Sequence, residues 1–522
     1  MALAPAAAAS VPDVTPVAGW AGQAGVQVTE RVALAAGGDH RPAVPSEPWA
    51  LSLTLHASFG TALRISTGGR LVVELLPVRG GLSVRAAATV LVPPRPMALP
   101  DTHRIELTGG GDARLAVDGR SVPVARIDAP LRMRNAGDHP LLIEALTVTP
   151  VARRDALLLH RVADLRARTP PSRFPLGEDS NGRLRFDGGW TSGFWPGALW
   201  QASRLVPAAP YDDWALAAAT ARIGRERTAI HDVGFMFGRS VAAGHERLCR
   251  TQAAARSGRC RVLRRSGMSA ANTLVRLART STTGMIPPYP RGTEAETIVD
   301  SLMNVGLLTW ASRVSDEPRF ANLARTHARR VSALLLRADG STIQVALHDR
   351  ASGRLLRRGT RQGLSSDSTW ARGQAWAIHG LADVGGALRD RGLVTAADRA
   401  AGYWIAAAPA SGLPPYDLAA GPSAARDSSA AAIAAAGMYS LARACSSVLG
   451  ACTRGPSRWR ETARATLENA LTAVSARPPL GRFGDQAGSV GARGGSWDDR
   501  AELIWGLDFL LEAIAGRGRT RG

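Results

Sequence analysis

Residues 426–438 read RDSSAAAIAAAGM, and this stretch decides the fold class. Between Ala430 and Gly437 the small residues permit close backbone approach from every side. A helix that is apolar all round belongs inside a molecule, surrounded by others. The chain supplies those others on both sides. After Pro150, apolar residues recur with helical period near 155–168, 194–206, 212–227, 232–245, 269–281, 296–314, 317–336, 370–384, 394–408, 427–448, 457–475 and 499–515. In the sixth of these, Ile298, Leu302, Val305 and Leu308 keep the helical spacing. Twelve helices make six hairpins, and six hairpins in a ring give an all-α (α/α)6 barrel with alternate helices inside.

The even-numbered segments, the candidate inner ring, open on polar and aromatic clusters. These are Trp190-Thr191-Ser192, His231-Asp232, Glu296 to Asp300, Trp370 to Arg372, Arg426 to Ser429 and Asp498-Asp499-Arg500. Parallel inner helices would bring the clusters to one end, where helix N-termini offer unpaired N–H groups and positive dipole ends to an anion. N-capping is the competing account of Ser, Thr and Asp at helix starts. It covers Ser428 or Ser429 but not the tryptophans.

Upstream the pattern changes. From Val26 to Val151 the apolar segments are short, among them LSLTLHA, LVVELL, ATVLV, THRIELTG, ARLAVDG and LLIEALTV, with Gly, Pro and Asp between them. This spacing predicts an antiparallel β-sandwich. The strand, Gly109-Gly110-Gly111 turn and strand from His103 to Val122 resemble a hairpin of concanavalin or laminin-G sandwiches. The expected organisation is therefore multidomain. A disordered or remnant signal segment (1–25) precedes a jelly-roll-like sandwich (26–151), a barrel (152–516) and a basic tail (517–522).

The 522 residues carry 64 basic and 43 acidic side chains, a formal charge of +21, and every basic residue is arginine. Without lysine there is no Walker A loop, pyridoxal-phosphate Schiff base, aldolase-type amine or kinase-type lysine. The charge favours polyanionic partners. The clusters Arg261 to Arg265 and Arg354 to Arg361 lack interleaved aromatics, so no nucleic-acid groove is expected. They read as solvated faces, or as forks that pair with carboxylate or sulfate. Cys249 with Cys260 and Cys445 with Cys452 lie close in sequence without the CxxC spacing of a zinc site. Two local disulfides would suit a secreted or cell-surface protein; free thiols in a cytoplasmic enzyme are the alternative. No apolar run reaches the ~18 residues of a membrane span. No metal or cofactor is expected, and monomer and homodimer both stay open.

The chain has no GxSxG elbow, HExxH, EF-hand loop or paired CxxC. Carboxylates among tryptophans and arginines remain, which is the equipment of sugar chemistry. In order, WTSGFWPGALW (190–200), HDVGFMF (231–237), IVDSLMNVGLLTWAS (298–312), QGLSSDSTWARGQAW (362–376) and RDSSAAAIAAAGM (426–438) resemble glycoside hydrolase family 88, over roughly residues 155–515. The resemblance implies an enzyme acting on acidic oligosaccharides made by polysaccharide lyases. It would remove a 4,5-unsaturated uronic acid from the non-reducing end by hydrating the C4=C5 bond.

By motif, Asp300 matches the family's general acid/base and Asp232 its second aspartate. One must be protonated while the other is ionised; an N-cap or a buried ion pair is the plainer reading of each. Trp190, Gln362, Ser368, Trp370, Arg372 and Trp376 match the sugar site. Trp370 and Trp376 are six apart and do not share a helix face, so Trp376 could be core. Arg426, Ser428 and Ser429 match a carboxylate-recognising segment. Gln344 follows the Gly340-Ser341-Thr342 turn where the family often has a histidine; glutamine hydrogen-bonds but does not titrate. The loop from Gly481 to Asp498 also lacks the family's histidine, and Tyr416 replaces a tryptophan. These departures leave the accepted sugar open. An unsaturated rhamnogalacturonyl hydrolase or a decayed barrel that binds acidic glycans are the alternatives. A polysaccharide lyase is opposed by the missing lysine and by tyrosines outside the motifs.

Overall fold

The computed structural model describes strands between Val28 and Pro150, then residues 153–179, 181–206, 211–289, 292–410, 412–475, 482–484, 486 and 501–518, with side chains from Leu157 onward. The expected segment 1–25, the triple-glycine turn, most of the loop 481–498, Asp499-Arg500 and the tail beyond Gly518 lie outside the described residues.

Two compact units form, residues 1–170 with 202–212, and residues 171–201 with 213–522. In the first, each of the six apolar segments quoted above contributes a strand, and every pairing is antiparallel. One six-stranded sheet runs in the order Val28–Leu34, Leu141–Pro150, Trp49–Ala57, Asp101–Thr108, Arg114–Val117, Arg120–Pro123. The other runs Asp39–His40, Leu131–Asn135, Leu63–Thr67, Arg70–Val78, Gly81–Ala86, Thr89–Val92. The unit also holds α1 (Arg153–Arg168), to whose Leu159 carbonyl the Tyr211 hydroxyl donates at 3.3 Å.

The second unit is helical. Its most buried helices are α2 (Phe194–Leu205), α4 (Val233–Phe237), α11 (Ala371–Ala387), α13 (Ser428–Ser447) and α15 (Ile504–Gly518), with α8 (Ser301–Asn304) and α9 (Gly306–Ser315) alongside. Between them α3 (Tyr211–Thr220), α7 (Gly258–Arg279), α10 (Pro318–Leu335), α12 (Arg391–Ala407) and α14 (Pro456–Leu471) bury one face each, which is what their apolar period requires. Short helices α5 (Ala243–Leu248) and α6 (Gln252–Ala255) complete the set.

α13 packs against α11, α14 and α15 at once. Gly437 shows why its side chains are small: a Cβ there would lie 2.9 Å from the Cα of His379 on α11. At the ring closure, Phe194 of α2 meets Phe509 of α15 at 6.0 Å between centroids. Disulfides join Cys249 to Cys260 and Cys445 to Cys452, settling the choice the sequence left open.

Four helix expectations need correction. Residues 296–314 are not one helix: Glu294–Ile298 is a strand paired with Val345–Asp349, and a turn then leads into α8 and α9. Ile298 kept the helical spacing by coincidence while its neighbours alternated at the strand period. Residues 232–245 divide into α4, a π-helical turn at Gly238–Ala242 and the start of α5. α7 begins at Gly258 rather than near 269, because Ser257 caps it by accepting from the Cys260 amide at 3.3 Å. α3 ends at Thr220, not 227.

Candidate active site

Four of the six polar clusters, those of Trp190, Asp232, Asp300 and Trp370, meet at a cavity of about 330 Å3. Asp232 and Asp300 occupy matching places in it, each the residue just before a short buried helix, α4 and α8. Neither side chain caps its own helix. The capping account therefore fails for both carboxylates, and their placement in the cavity needs another reason.

Close backbone approach brings them together. A Cβ on Gly234 would sit 2.3 Å from the Asn304 carbonyl oxygen, so only glycine lets α4 lie this tightly on α8. Asn304 then bridges the two turns. Its Oδ1 accepts from the Phe235 amide at 2.7 Å, and its Nδ2 donates to Asp232 Oδ1 at 3.3 Å. His327 braces the Asp300 turn through Ser301 Oγ at 2.9 Å, while its Nδ1 accepts from the Ile286 amide at 3.1 Å.

The two carboxylates differ electrostatically. Burial pushes Asp232 up to about 7, opposed by the Asn304 hydrogen bond. Burial, and then the neighbouring Asp232 charge, push Asp300 up to about 7 as well, with Arg372 opposing. His231 is held down to about 3 by burial, so it is neutral. Its Nε2 lies 3.2 Å from Asp232 Oδ1. Asp232 accepts from the Asn304 amide, whereas Asp300 Oδ1 is buried with no hydrogen-bond partner in the protein. Donors favour the ionised form, and their absence favours the acid. Both carboxyls are raised to about 7, and the Asn304 amide that Asp232 receives has no counterpart at Asp300 Oδ1.

Aromatic rings form the walls. Trp190 and Trp505 lie 5.2 Å apart between centroids with a 31° interplanar angle. Trp370 precedes α11 in an extended conformation, fixed where the Ala371 amide donates to the Tyr416 carbonyl at 2.9 Å. Because it is outside the helix, its six-residue separation from Trp376 imposes no rotation between them. Trp376 does both things the sequence allowed: it lines the cavity and packs against Phe235 and Phe509 at 5.3 and 5.1 Å. Arg372 is buried over the Trp370 ring at 4.9 Å and the Trp505 ring at 5.4 Å. Its guanidinium is braced from behind by Asp427 at 2.7 Å.

Asp232, Asp300, Trp190, Gln362, Trp370, Arg372 and Trp376 therefore share one cavity. Five other expected residues are not on its wall. Gln344 Oε1 accepts from the Thr360 hydroxyl and the Arg361 and Gln362 amides at 2.7, 2.7 and 3.0 Å, and its Nε2 donates to Gln362 Oε1 at 2.6 Å. It orients Gln362 and is held within the loop rather than on the cavity wall. Ser368 donates to Asp417, in the loop before α13, at 2.6 Å. Arg426 donates to the Pro422 and Leu413 carbonyls. Ser428 donates to the Gly484 carbonyl at 2.6 Å. Ser429 donates to Asp427 and accepts from Arg372 at 3.1 Å. The N-terminus of α13 is no anion site, because the Asp427 carboxylate already occupies it, accepting from the Ser429 and Ala430 amides.

Sequence reasoning missed Trp505, Asp187, Thr191, Leu176 and Tyr289, all on the cavity wall. Trp505 had a readable signal, a tryptophan at the start of the last inner helix, as at Trp190 and Trp370. Asp187 fixes the Trp190 turn by accepting from the Gly189 amide at 2.8 Å and the Thr191 hydroxyl at 2.7 Å. At the mouth, Glu296 is paired with Arg361 at 2.7 Å.

No family model matches the chain. An unsaturated glucuronyl hydrolase of Bacillus sp. (strain GL1) is 32% identical to it over 356 residues, spanning 66% of this chain and 90% of that protein. The chain belongs to the unsaturated glucuronyl hydrolases. An unsaturated chondroitin disaccharide hydrolase of Streptococcus pyogenes serotype M1 is 29% identical over 280 residues, 51% of this chain and 66% of that one. The crystal structure of the Bacillus sp. GL1 unsaturated glucuronyl hydrolase superposes with a TM-score of 0.60 at 27% identity, covering 69% of this chain and 94% of that one. An unsaturated glucuronyl hydrolase specific for heparin shares the fold, with a TM-score of 0.62 at 24% identity over 70% of this chain and 96% of its own.

Proposed function

We propose that this unsaturated glucuronyl hydrolase removes a 4,5-unsaturated uronic acid from the non-reducing end of oligosaccharides by hydrating the C4=C5 bond. The observation that carries the reading is the pair of raised carboxyls, Asp232 receiving the Asn304 amide and Asp300 Oδ1 receiving no donor, in a cavity walled by tryptophan and arginine. Asp300 gives its proton to C4, and positive charge develops at C5 with the ring oxygen sharing it. Asp232, ionised, orients a water and takes its proton as the water oxygen bonds to C5. The hemiketal so formed opens, breaking the bond from C5 to the ring oxygen. The resulting hemiacetal at C1 collapses to an aldehyde and releases the next sugar as an alcohol. One water is consumed and no redox partner is needed. Arg372 and Gln362 face the acidic sugar as donors, and Trp190, Trp370 and Trp505 give it flat surfaces.

A single-site variant of such an enzyme has been solved with dGlcA-Glc-Rha-Glc, at 27% identity and a TM-score of 0.60, which supports an acidic oligosaccharide as the substrate class. The succession of buried and half-buried helices supports the (α/α)6 barrel, and the two antiparallel sheets support a jelly-roll-like sandwich before it. Two disulfides favour a secreted or cell-surface location. Among the described residues no helix is long and apolar enough to cross a membrane.

The conjugated enol-ether carboxylate absorbs in the ultraviolet and its hydration product does not. Wild-type protein should bleach that absorbance with lyase-generated disaccharides, and Asp300→Asn should be slower by at least ~10²–10⁴. Turnover by Asp300→Asn within twofold of wild type would overturn the mechanism.

A further inference from the structure

A second cavity, of about 700 Å3, lies outside the catalytic one and is lined by seven arginines and a single carboxylate, that of Glu317. Five of the arginines are Arg261, Arg264, Arg265, Arg276 and Arg279, on the exposed face of α7. At about 1.5 Å per residue the stripe from Arg261 to Arg279 is ~27 Å long. Arg227 and Arg319 complete the basic wall. Glu317 is already paired with Arg319 at 2.6 Å, so it neutralises none of the others. Coding bias accounts for arginine in place of lysine, but not for the absence of acidic residues. All 22 residues of α7 include no Asp or Glu. Like charges three and four apart on a helix repel. Here Arg261 with Arg264 and Arg265, and Arg276 with Arg279, carry that cost without intrahelical relief.

We infer that this cleft is a second binding site, for an anionic polysaccharide chain, separate from the catalytic cavity. Guanidinium forks match sulfate and carboxylate groups, and Ser269 and Asn272 in the same cleft are partners for sugar hydroxyls. No aromatic ring lines it, so nucleic-acid bases have no stacking surface. The choice of a glycan among polyanions rests on the catalytic reading above. The cleft holds the body of a long chain and keeps the enzyme on material whose ends it consumes.

The test uses full-length protein and a labelled chondroitin sulfate chain with a saturated non-reducing end, which the catalytic reaction cannot consume. Wild type should bind it, and added salt should weaken binding steeply. The variant Arg261→Gln/Arg265→Gln/Arg276→Gln/Arg279→Gln keeps helix propensity. It should bind at least tenfold more weakly, with disaccharide turnover unchanged as the measure of correct folding. Should the quadruple variant fail to fold, Arg265→Gln and Arg279→Gln singly should each weaken binding at least twofold. No binding by wild type, equal binding by a folded variant, or equally tight binding of a length-matched oligothymidylate would overturn the inference. Failure of the catalytic reading would show separately, as an absence of disaccharide turnover by wild type.

Discussion

Asp300 and Asp232 are carboxyls raised by their surroundings, and that has two measurable consequences. The Asp300 carboxyl is raised from an ordinary value of 3.8 to about 7, first by burial and then by Asp232. A carboxyl raised on folding holds its proton more tightly in the native state, so it costs stability progressively as pH rises from 3.8 to about 7. Asp300→Asn removes that cost. The variant, although slow, should melt at a higher temperature than wild type at pH 8, with little difference at pH 4. Melting below wild type at pH 8 would sink this account. The second consequence concerns Asn304, whose amide lowers Asp232. Without it Asp232 ionises only at higher pH, so Asn304→Ala should move the acidic limb of the pH–rate profile upward. An unmoved limb would mean that Asp232 does not act as an anion. At this scale the motifs located two carboxyls that share one cavity and most of its aromatic wall. They could not distinguish Gln362 from the Gln344 that holds it, because both are glutamines near the same loop and only their contacts separate them.

At the scale of elements, the short helices α4 and α8 place the aspartates, and their contact depends on one missing side chain. Gly234→Ala would put a methyl group 2.3 Å from the Asn304 carbonyl. The backbones must part, at a cost of ~1–3 kcal/mol by the usual price of overpacking. Turnover should fall along with thermal stability, whereas Gly306→Ala, with nothing within 4 Å of the new methyl, should change neither. Equal effects at the two positions would show that contact between the helices is not what matters. Amphipathic helices were legible because their burial is one-sided and their period survives in the sequence. The segment 294–315 was not legible as a unit, since strand, turn and two helices follow one another within it. Its apolar residues satisfied a helical period that the strand pairing with Val345–Asp349 overrode.

At the scale of the whole molecule, a buried charge network ties together three inner segments distant in sequence. Arg239, in the π-helical turn after α4, pairs with Asp508 and Glu512 of α15 at 2.7 Å each. Glu512 also faces His379 of α11, at 3.3 Å, and Asp383 lies 3.1 Å from its other ring nitrogen. Burial alone would lower His379, but the two carboxylates outweigh it and hold it at about 10. A histidine raised on folding contributes stability that is complete below its unfolded value of about 6.5 and disappears as pH rises through about 10. Wild-type melting temperature should therefore decline between those limits, and His379→Gln should flatten the decline while lowering stability at pH 6. A decline of the same slope in the variant would place its origin elsewhere.

None of this network was visible in the sequence, because Arg239, His379, Asp383 and Glu512 carry no motif and meet only through packing. What the sequence determined by itself was the alternation of buried and half-buried helices, the small-residue interior of α13 and the residue types of the catalytic pair. These are properties of period, volume and chemical identity, each carried by a contiguous stretch of chain. The tertiary structure alone decided which aspartate receives the Asn304 amide, which glutamine reaches the cavity, and that Asp427 rather than a ligand sits on the start of α13. It also gathered the arginines of α7 around one cleft with Arg227 and Arg319. Each of those outcomes depends on distances and solvent exclusion between segments far apart in sequence, and no local pattern encodes them.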